Sequence, residues 1–319
     1  MQTITLDAIR EAARRIEPYA HRTPVLRSDF FNKLLDADVR FKCENFQKVG
    51  AFKFRGACNA VFTVEDIAGL SGVVTHSSGN HGQALALAAM LRGIQATVVM
   101  PRTAPTVKRA AVTGYGATVV SCEPTEPARQ AAADAVIDQT GAQFIHPFND
   151  RHIIAGQGTA ALELIEADGP FDLLVAPVGG GGLISGTALA AAALCPQTRV
   201  IGVEPNGADD ACRSLHAGMI IPSVDPCTIA DGLLTSLGDL TFPIIQRHVR
   251  AIVTVSDKAI IRAMRAVWER MKIVIEPSAA VPVAALMERR VDASGKRVGV
   301  ILSGGNVELD RLPWVVSSH

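Results

Sequence analysis

Four short segments of this 319-residue chain concentrate residue types able to do chemistry. In Gly50-Ala51-Phe52-Lys53-Phe54-Arg55-Gly56 a single lysine stands between two phenylalanines. Apolar flanks withdraw water from an ammonium, lower its pKa and favour the nucleophilic neutral amine. A lysine lying along the surface is the competing reading, and for an isolated Lys53 the better one. The second segment, Val178-Gly179-Gly180-Gly181-Gly182-Leu183, offers backbone N–H groups with no side chain in the way. An Ala-rich helical stretch follows, and its dipole favours an anion. A tight turn needs one or two glycines, so Gly179, Gly180, Gly181 and Gly182 together read as a phosphate nest. The third, His76-Ser77-Ser78-Gly79-Asn80-His81-Gly82, gathers two hydroxyls, an amide and two imidazoles where a strand gives way to a helix. The free N–H groups of such a helix start can receive a carboxylate. Ser78 or Asn80 could act simply as an N-cap, but a cap needs one residue of that kind and this run holds far more. The fourth, Leu302-Ser303-Gly304-Gly305-Asn306, closes the last strand with a similar mixture.

The phosphate can be narrowed. No Lys-Ser/Thr pair follows the glycines, which excludes a P-loop. A dinucleotide fingerprint wants glycine at its first, third and sixth positions, and the sixth is Ile184 or Ser185 depending on the start. Glu204, ending the next strand, does stand where a ribose-binding acid belongs, so an NAD-dependent dehydrogenase stays as the remote alternative. A desolvated lysine, a phosphate cup and a ring-binding loop together describe pyridoxal 5′-phosphate, PLP.

Positioning such loops requires a parallel sheet covered by helices. Short β-branched runs are expected as strands at 73–75, 97–100, 118–121, 173–176, 200–203 and 298–302. Amphipathic stretches predict helices at 6–16, 83–91, 126–139, 156–167, 185–194 and 257–271. The fold class is α/β, with the strands between residues 72 and 121 forming a compact unit set into a larger one. Hydrophobic residues make up 48% and charged residues 19%, enough for a sizeable core. Lys+Arg and Asp+Glu are both 31, a balance that argues against nucleic acid or an anionic membrane as the main partner. No apolar run is long enough for a membrane span, and the first residues lack a signal-peptide core. The six scattered cysteines predict buried free thiols in a cytoplasmic protein.

The motifs occur in the order of the fold-type II (tryptophan synthase β-like) PLP enzymes. From His21-Arg22-Thr23-Pro24-Val25 to Ser303-Gly304-Gly305-Asn306 the sequence most closely resembles their serine racemase and threonine/serine dehydratase group. The resemblance implies two open-sheet α/β domains with PLP in the cleft between them. The large PLP domain would comprise residues 1–71 and 150–319, and a small mobile domain residues 72–149. It also implies a homodimer. Lys53 would bind PLP covalently, Gly179 to Gly182 would hold the phosphate, Asn80 the ring hydroxyl and Ser303 the ring nitrogen. A neutral hydroxyl at that nitrogen stabilises a carbanion less than a carboxylate would, which suits β-elimination better than transamination. Ser77, Ser78 and His81 would receive the substrate carboxylate, Arg129 would help secure or sense the substrate from the small domain, and Ser236 would line the pocket. Ser78 would face Lys53 across the reacting carbon.

Glu204-Pro205-Asn206-Gly207-Ala208-Asp209-Asp210 resembles the divalent-metal loop of serine racemases. Glu204 and Asp210 would give carboxylates and Ala208 a carbonyl, hard ligands for Mg²⁺, Ca²⁺ or Mn²⁺; a solvated acidic turn is the competing reading. Lys48, Lys108, Arg109 and Tyr115 match a nucleotide site, with ATP as effector, against ordinary surface charge. Two departures bear on the activity. Ala51 replaces a serine common before the Phe-Lys pair, and Phe148 stands where animal serine racemases have asparagine. The expected function is dehydration of L-serine or L-threonine with accompanying serine racemisation. A threo-3-hydroxyaspartate ammonia-lyase is the alternative within the family, and a non-catalytic PLP-binding sensor lies outside these enzymatic readings.

Overall fold

A computed structural model describes residues 4–64, 71–77, 79–104 and 106–314. Among these residues the strands are β1 (Val25–Leu26), β2 (Asp38–Cys43), β3 (Val73–His76), β4 (Ala96–Pro101), β5 (Thr118–Cys122), β6 (Gln143–Phe144), β7 (Leu173–Pro177), β8 (Arg199–Pro205), β9 (Val249–Val255) and β10 (Arg297–Leu302). Six form one sheet in the order β1-β2-β10-β7-β8-β9, with β1 antiparallel to β2 and all other neighbours parallel. The other four form a parallel sheet, β5-β4-β3-β6.

Helices cover both faces of the larger sheet. Leu173 and Val175 of β7 join one apolar cluster, and Leu174 and Ala176 join the cluster on the opposite face. A strand buried on both sides must be apolar throughout, and all five residues of β7 are buried. All six expected strands are present; β1, β2, β6 and β9 were passed over. β1 and β6 are only two residues long. β2 was hidden by its charges, because its sequence Asp-Val-Arg-Phe-Lys-Cys carries two cations that are nevertheless buried. Arg40 meets Asp168 and Lys42 meets Glu163, so ion pairing lets polar residues occupy a core strand.

The six expected helices are present as Leu6–Ile16, Asn80–Arg92, Glu126–Thr140, Arg151–Asp168, Gly182–Leu194 and Asp257–Met271. Further helices include Lys53–Phe62, Thr106–Gly114, Asp210–Ala217 and Pro277–Met287. Asp150 caps Arg151–Asp168, accepting from the His152 and Ile153 amides at 2.7 and 3.0 Å. This helix packs closely on two others. A Cβ on Gly156 would lie 2.6 Å from the Gly56 Cα of helix Lys53–Phe62. A Cβ on Gly186 of helix Gly182–Leu194 would lie 2.5 Å from the Gly158 amide nitrogen. Only hydrogen fits at either crossing, so one helix fixes the spacing between the lysine segment and the glycine loop.

The smaller sheet has apolar clusters on both sides. One combines Val73, Val98 and Met100 with Phe54, Ala57, Cys58 and Val61, together with Ile16 and Ile153. It therefore draws on chain outside residues 72–149. All six cysteines are free: Cys43, Cys58 and Cys122 are buried, Cys195 and Cys212 half-buried, and Cys227 exposed, which departs from the expectation that all are buried. Among the described residues no helix is long and apolar enough to cross a membrane.

Candidate active site

β3, β7 and β10 end at His76, Pro177 and Leu302, so three of the chemical segments follow the carboxyl ends of parallel strands. The lysine segment is stitched to one of them. Ala51 bridges Gly304 in antiparallel fashion, the Phe52 amide donates to the Ser303 carbonyl at 3.0 Å, and the Gly305 amide donates to the Gly50 carbonyl at 2.9 Å. Gly50 has φ +68°, and a Cβ there would strike the Asn306 side chain at 2.6 Å, so the turn before the lysine requires glycine. Lys53 opens its helix directly after this turn. Its Nζ donates to the Pro147 carbonyl at 2.9 Å and lies 5.3 Å from the centre of the Phe52 ring. Burial lowers the ammonium to about 8, with the Glu276 carboxylate pulling the other way. The neutral amine is thus accessible near neutral pH, as expected of a nucleophile or base and not of a surface lysine.

Asn80 is not an N-cap. Gly79 precedes the helix without a side-chain cap, and Asn80 is its first residue. The Asn80 Nδ2 donates to both Glu276 oxygens, at 3.0 and 3.1 Å, while its Oδ1 accepts from Asn306 Nδ2 at 2.9 Å. The Asn306 amide also donates to Glu276 Oε2 at 3.2 Å. Sequence reasoning missed Glu276. A single acid before Pro277 reads as ordinary charge at a helix start, and only the fold brings it to Asn80. Burial pushes its carboxyl up to about 7, with Asp231 adding to the effect and the Asn80 donors resisting it.

That shift has a sign that can be measured. A carboxyl raised in the fold above its ordinary value contributes stability that is intact below about pH 4.5 and lost as pH rises through about 7. Ionising Glu276 in place costs on the order of 3 kcal/mol. Glu276→Gln is therefore expected to gain thermal stability relative to the wild-type protein between pH 5 and 8, as followed by melting temperature. Parallel wild-type and variant profiles would assign the titration to another group.

Gly179 to Gly182 lead into helix Gly182–Leu194, whose cap residue Gly181 has φ +90° and gives no side-chain cap. Thr241 Oγ1 donates to the Gly180 carbonyl at 2.9 Å and fixes the loop from below. The Phe148 ring lies against Gly180, where a Cβ would come within 2.3 Å of it. His146 stands edge-on to Phe148, with ring centres 4.6 Å apart. Its Nδ1 accepts from the Phe148 and Asn149 amides at 3.3 and 2.9 Å, which puts the proton on Nε2. Burial, then His76 and Lys53, lowers His146 to about 4, and the same kind of surroundings hold buried His81 well below its ordinary value. Both imidazoles are neutral. An uncapped helix start behind four glycines, a desolvated lysine and the buried Ser303 fit PLP, phosphate, aldehyde carbon and ring nitrogen respectively.

The other expected site residues are more dispersed. Ser77 Oγ accepts from the Gly79 amide at 3.2 Å, and Ser78 lies outside the described residues. Arg129 is half-buried near Cys122, with no partner for its buried Nε. Ser236 Oγ accepts from the Ser223 amide at 2.9 Å. Lys108 pairs with Asp231 at 2.6 Å, Arg109 donates to Ser121 Oγ at 2.8 Å, and Lys48 lies over the Phe54 ring. Tyr115 packs against the apolar cluster of the smaller sheet. Glu204 and Asp210 are buried beside Ala208 at the end of β8. Glu204 accepts from the Ala211 and Cys212 amides at 3.1 and 2.8 Å.

A family model described as "Pyridoxal-phosphate dependent enzyme" matches residues 16–304. The chain is 52% identical to a β-hydroxyaspartate dehydratase from Paracoccus denitrificans over 310 residues, covering 97% of this chain and 98% of the relative. It is 45% identical to L-threo-3-hydroxyaspartate ammonia-lyase from Saccharomyces cerevisiae, covering 98% and 96% of the two chains. The crystal structure of serine racemase from Dictyostelium discoideum superposes with a TM-score of 0.92 at 50% identity, covering 97% of this chain and all of that one. With a buried lysine and a glycine loop joined through the 146–148 segment, the chain belongs to the pyridoxal-phosphate dependent enzyme family.

Proposed function

We propose that this enzyme dehydrates small β-hydroxy amino acids, converting L-serine to pyruvate and L-threonine to 2-oxobutanoate with release of ammonia, and that it also interconverts the serine enantiomers. The carrying observation is Lys53, an amine lowered to about 8 by burial and held beside the 146–148 segment that packs on the glycine loop. PLP, when bound, supplies the electron sink that makes the α-proton acidic. In this reading Gly179, Gly180, Gly181 and Gly182 hold its phosphate, Asn80 its ring hydroxyl and Ser303 its ring nitrogen. Ser77, Ser78 and His81 hold the substrate carboxylate, with Arg129 and Ser236 at the pocket wall. Lys53 Nζ takes the α-proton and returns it to the departing β-hydroxyl, which leaves as water. The released enamine tautomerises and hydrolyses to the oxo acid and ammonia.

Ser78 serves the opposite face, where a second proton donor is needed only for racemisation. The deciding experiment runs a keto-acid assay beside chiral chromatography of the serine pool. Ser78→Ala is expected to lose D-serine formation and keep much of the L-serine dehydration. Undiminished D-serine from the variant would give the second face to another group. No keto acid from L-serine or L-threonine with the wild-type enzyme would overturn the dehydratase reading. A second reading, dehydration of threo-3-hydroxyaspartate, is favoured by the likeness to the yeast L-threo-3-hydroxyaspartate ammonia-lyase, by that to the Paracoccus β-hydroxyaspartate dehydratase for the substrate class, and by the buried, unpartnered Nε of Arg129, a cation suited to a second carboxylate. Threo-3-hydroxyaspartate in the same assay separates the two.

The acidic loop suits a divalent cation. Burial pushes Glu204 up to about 8 and Asp210 up to about 6. No well-formed hydrogen bond reaches either buried Asp210 oxygen, although Ser223 lies near enough to favour its charge. Two buried carboxylates with no cation in direct contact, Arg213 being paired with Asp209, are costly, and Mg²⁺ with the Ala208 carbonyl would relieve them. Millimolar Mg²⁺ is expected to raise the melting temperature, by linkage to the folded state, and Glu204→Gln to abolish the response. Identical curves with Mg²⁺ and with chelator would leave a metal-free turn. ATP as an effector at Lys48, Lys108, Arg109 and Tyr115 would have to compete with the Asp231 partner of Lys108. We further propose a cytoplasmic homodimer in which residues 72–149 move against residues 1–71 and 150–319.

A further inference from the structure

A dense buried polar cluster surrounds Arg55, two residues beyond Lys53. Arg55 is completely buried, and residues two apart on a helix point to different sides, so it faces away from the lysine. Its guanidinium makes two bidentate contacts. Nε and Nη2 donate to Glu44 at 2.7 and 2.9 Å, and Nη1 and Nη2 donate to Glu163 at 2.8 and 2.9 Å. Nη1 also donates to Thr159 Oγ1 at 3.1 Å. Lys42 Nζ donates to Glu163 at 2.5 Å and to the Thr23 carbonyl at 2.7 Å, and Thr23 Oγ1 donates to Glu44 at 2.6 Å. Two cations thus balance two carboxylates, with Arg55, Lys42 and Glu44 buried and Glu163 partly exposed.

The elements joined this way are the ones that frame the lysine. Glu44 begins the turn leading from β2 into the lysine segment, and Glu163 and Thr159 belong to helix Arg151–Asp168. The first turn of helix Lys53–Phe62 has no side-chain N-cap and no acidic residue, and the backbone bonds to Ser303 and Gly305 hold only the residues before it. The Gly56 amide is instead held by Gln157 Oε1 of the neighbouring helix at 3.2 Å. Burying an ion network contributes little net stability, and where such networks persist they specify one geometry. Rotation of this helix turn would swing Nζ through an arc at the end of a four-carbon arm.

We infer that Arg55 is a positioning residue for Lys53: its doubly bidentate contacts to Glu44 and Glu163 set the rotation of the helix start and so the place of Nζ beside the Pro147 carbonyl. The inference rests on the reading of Lys53 as the PLP lysine. Borohydride labelling of the wild-type holoenzyme tests that reading separately, since a label on another residue overturns it whatever Arg55 does.

Arg55→Lys keeps the charge but loses the planar fork, and Lys42→Met removes an outer member while leaving both bidentate contacts intact. Holoenzymes of both are compared with wild type by melting temperature, by the visible circular dichroism of bound PLP, and by kcat and KM. Both variants are expected to melt lower. Only Arg55→Lys is expected to change the visible dichroism, which reports how the cofactor sits in its asymmetric site, and to lower kcat about tenfold or more with KM altered less than about twofold. A wild-type dichroism and kcat in Arg55→Lys would overturn the inference. Equal changes in Lys42→Met would also overturn it, by making the effect one of general loosening.

Discussion

Lys53→Ala loses turnover by a factor of at least about 10³, while the protein still takes up PLP. The substitution removes the proposed covalent anchor and the proposed base in one step, so no other side chain can repair both. The glycine loop, the start of helix Gly182–Leu194 and the Asn80–Glu276–Asn306 cluster are untouched, and they keep the proposed phosphate and ring contacts available. Uptake is checked by equilibrium dialysis with PLP and turnover by keto-acid release. The wild-type enzyme reduced with borohydride carries the added mass on Lys53, and the variant carries none. Activity within about tenfold of wild type in the variant would remove Lys53 from the chemistry.

Gly180→Ala weakens PLP binding by roughly 10- to 100-fold, because overpacking a close contact costs about 1–3 kcal/mol. The added methyl would sit 2.3–2.4 Å from three atoms of the Phe148 ring, and His146 backs that ring edge-on. Either the ring is pushed into the cleft or the glycine loop retreats from the phosphate. Fluorescence titration with PLP measures the loss. Phe148→Ala in the same chain is expected to restore most of the affinity, since it removes the atoms that clash. An unchanged affinity in the single variant, or no recovery in the double one, would separate Phe148 from the phosphate cup.

The parts of the site that could be read from sequence are those whose chemistry is local. Two phenylalanines beside Lys53, four consecutive glycines and a hydroxyl-rich strand end each announce themselves within seven residues. The partners that tune them come from far along the chain. Glu276 reaches Asn80 across 196 residues, and Asp231 reaches Lys108 across 123. Neither has a flanking pattern to distinguish it from surface charge. The fold was legible for the same reason where apolar runs were unbroken, as in β7, and obscured in β2, where Lys42 is neutralised by distant Glu163 and Arg40 by distant Asp168 as well as by Asp38 of its own strand. Phe148 was noticed as a departure, but its place over Gly180 depends on how two sheets meet.

The glycine crossings of helix Arg151–Asp168 bear on how such an enzyme can be re-engineered. The lysine helix and the phosphate-loop helix are both seated on this one rod, at Gly56 against Gly156 and Gly186 against Gly158, with contacts too tight for any side chain. The distance from the lysine helix to the glycine-loop helix is therefore machined into a single piece that excludes β3 to β6. The smaller sheet then resembles an interchangeable cartridge: exchanging it would replace the segments that carry Ser77, Asn80, His81 and Arg129, while the lysine helix and the glycine-loop helix keep their spacing. The fitting surface of a donor cartridge is set by Phe54, Ala57, Cys58 and Val61, which its own apolar face must match.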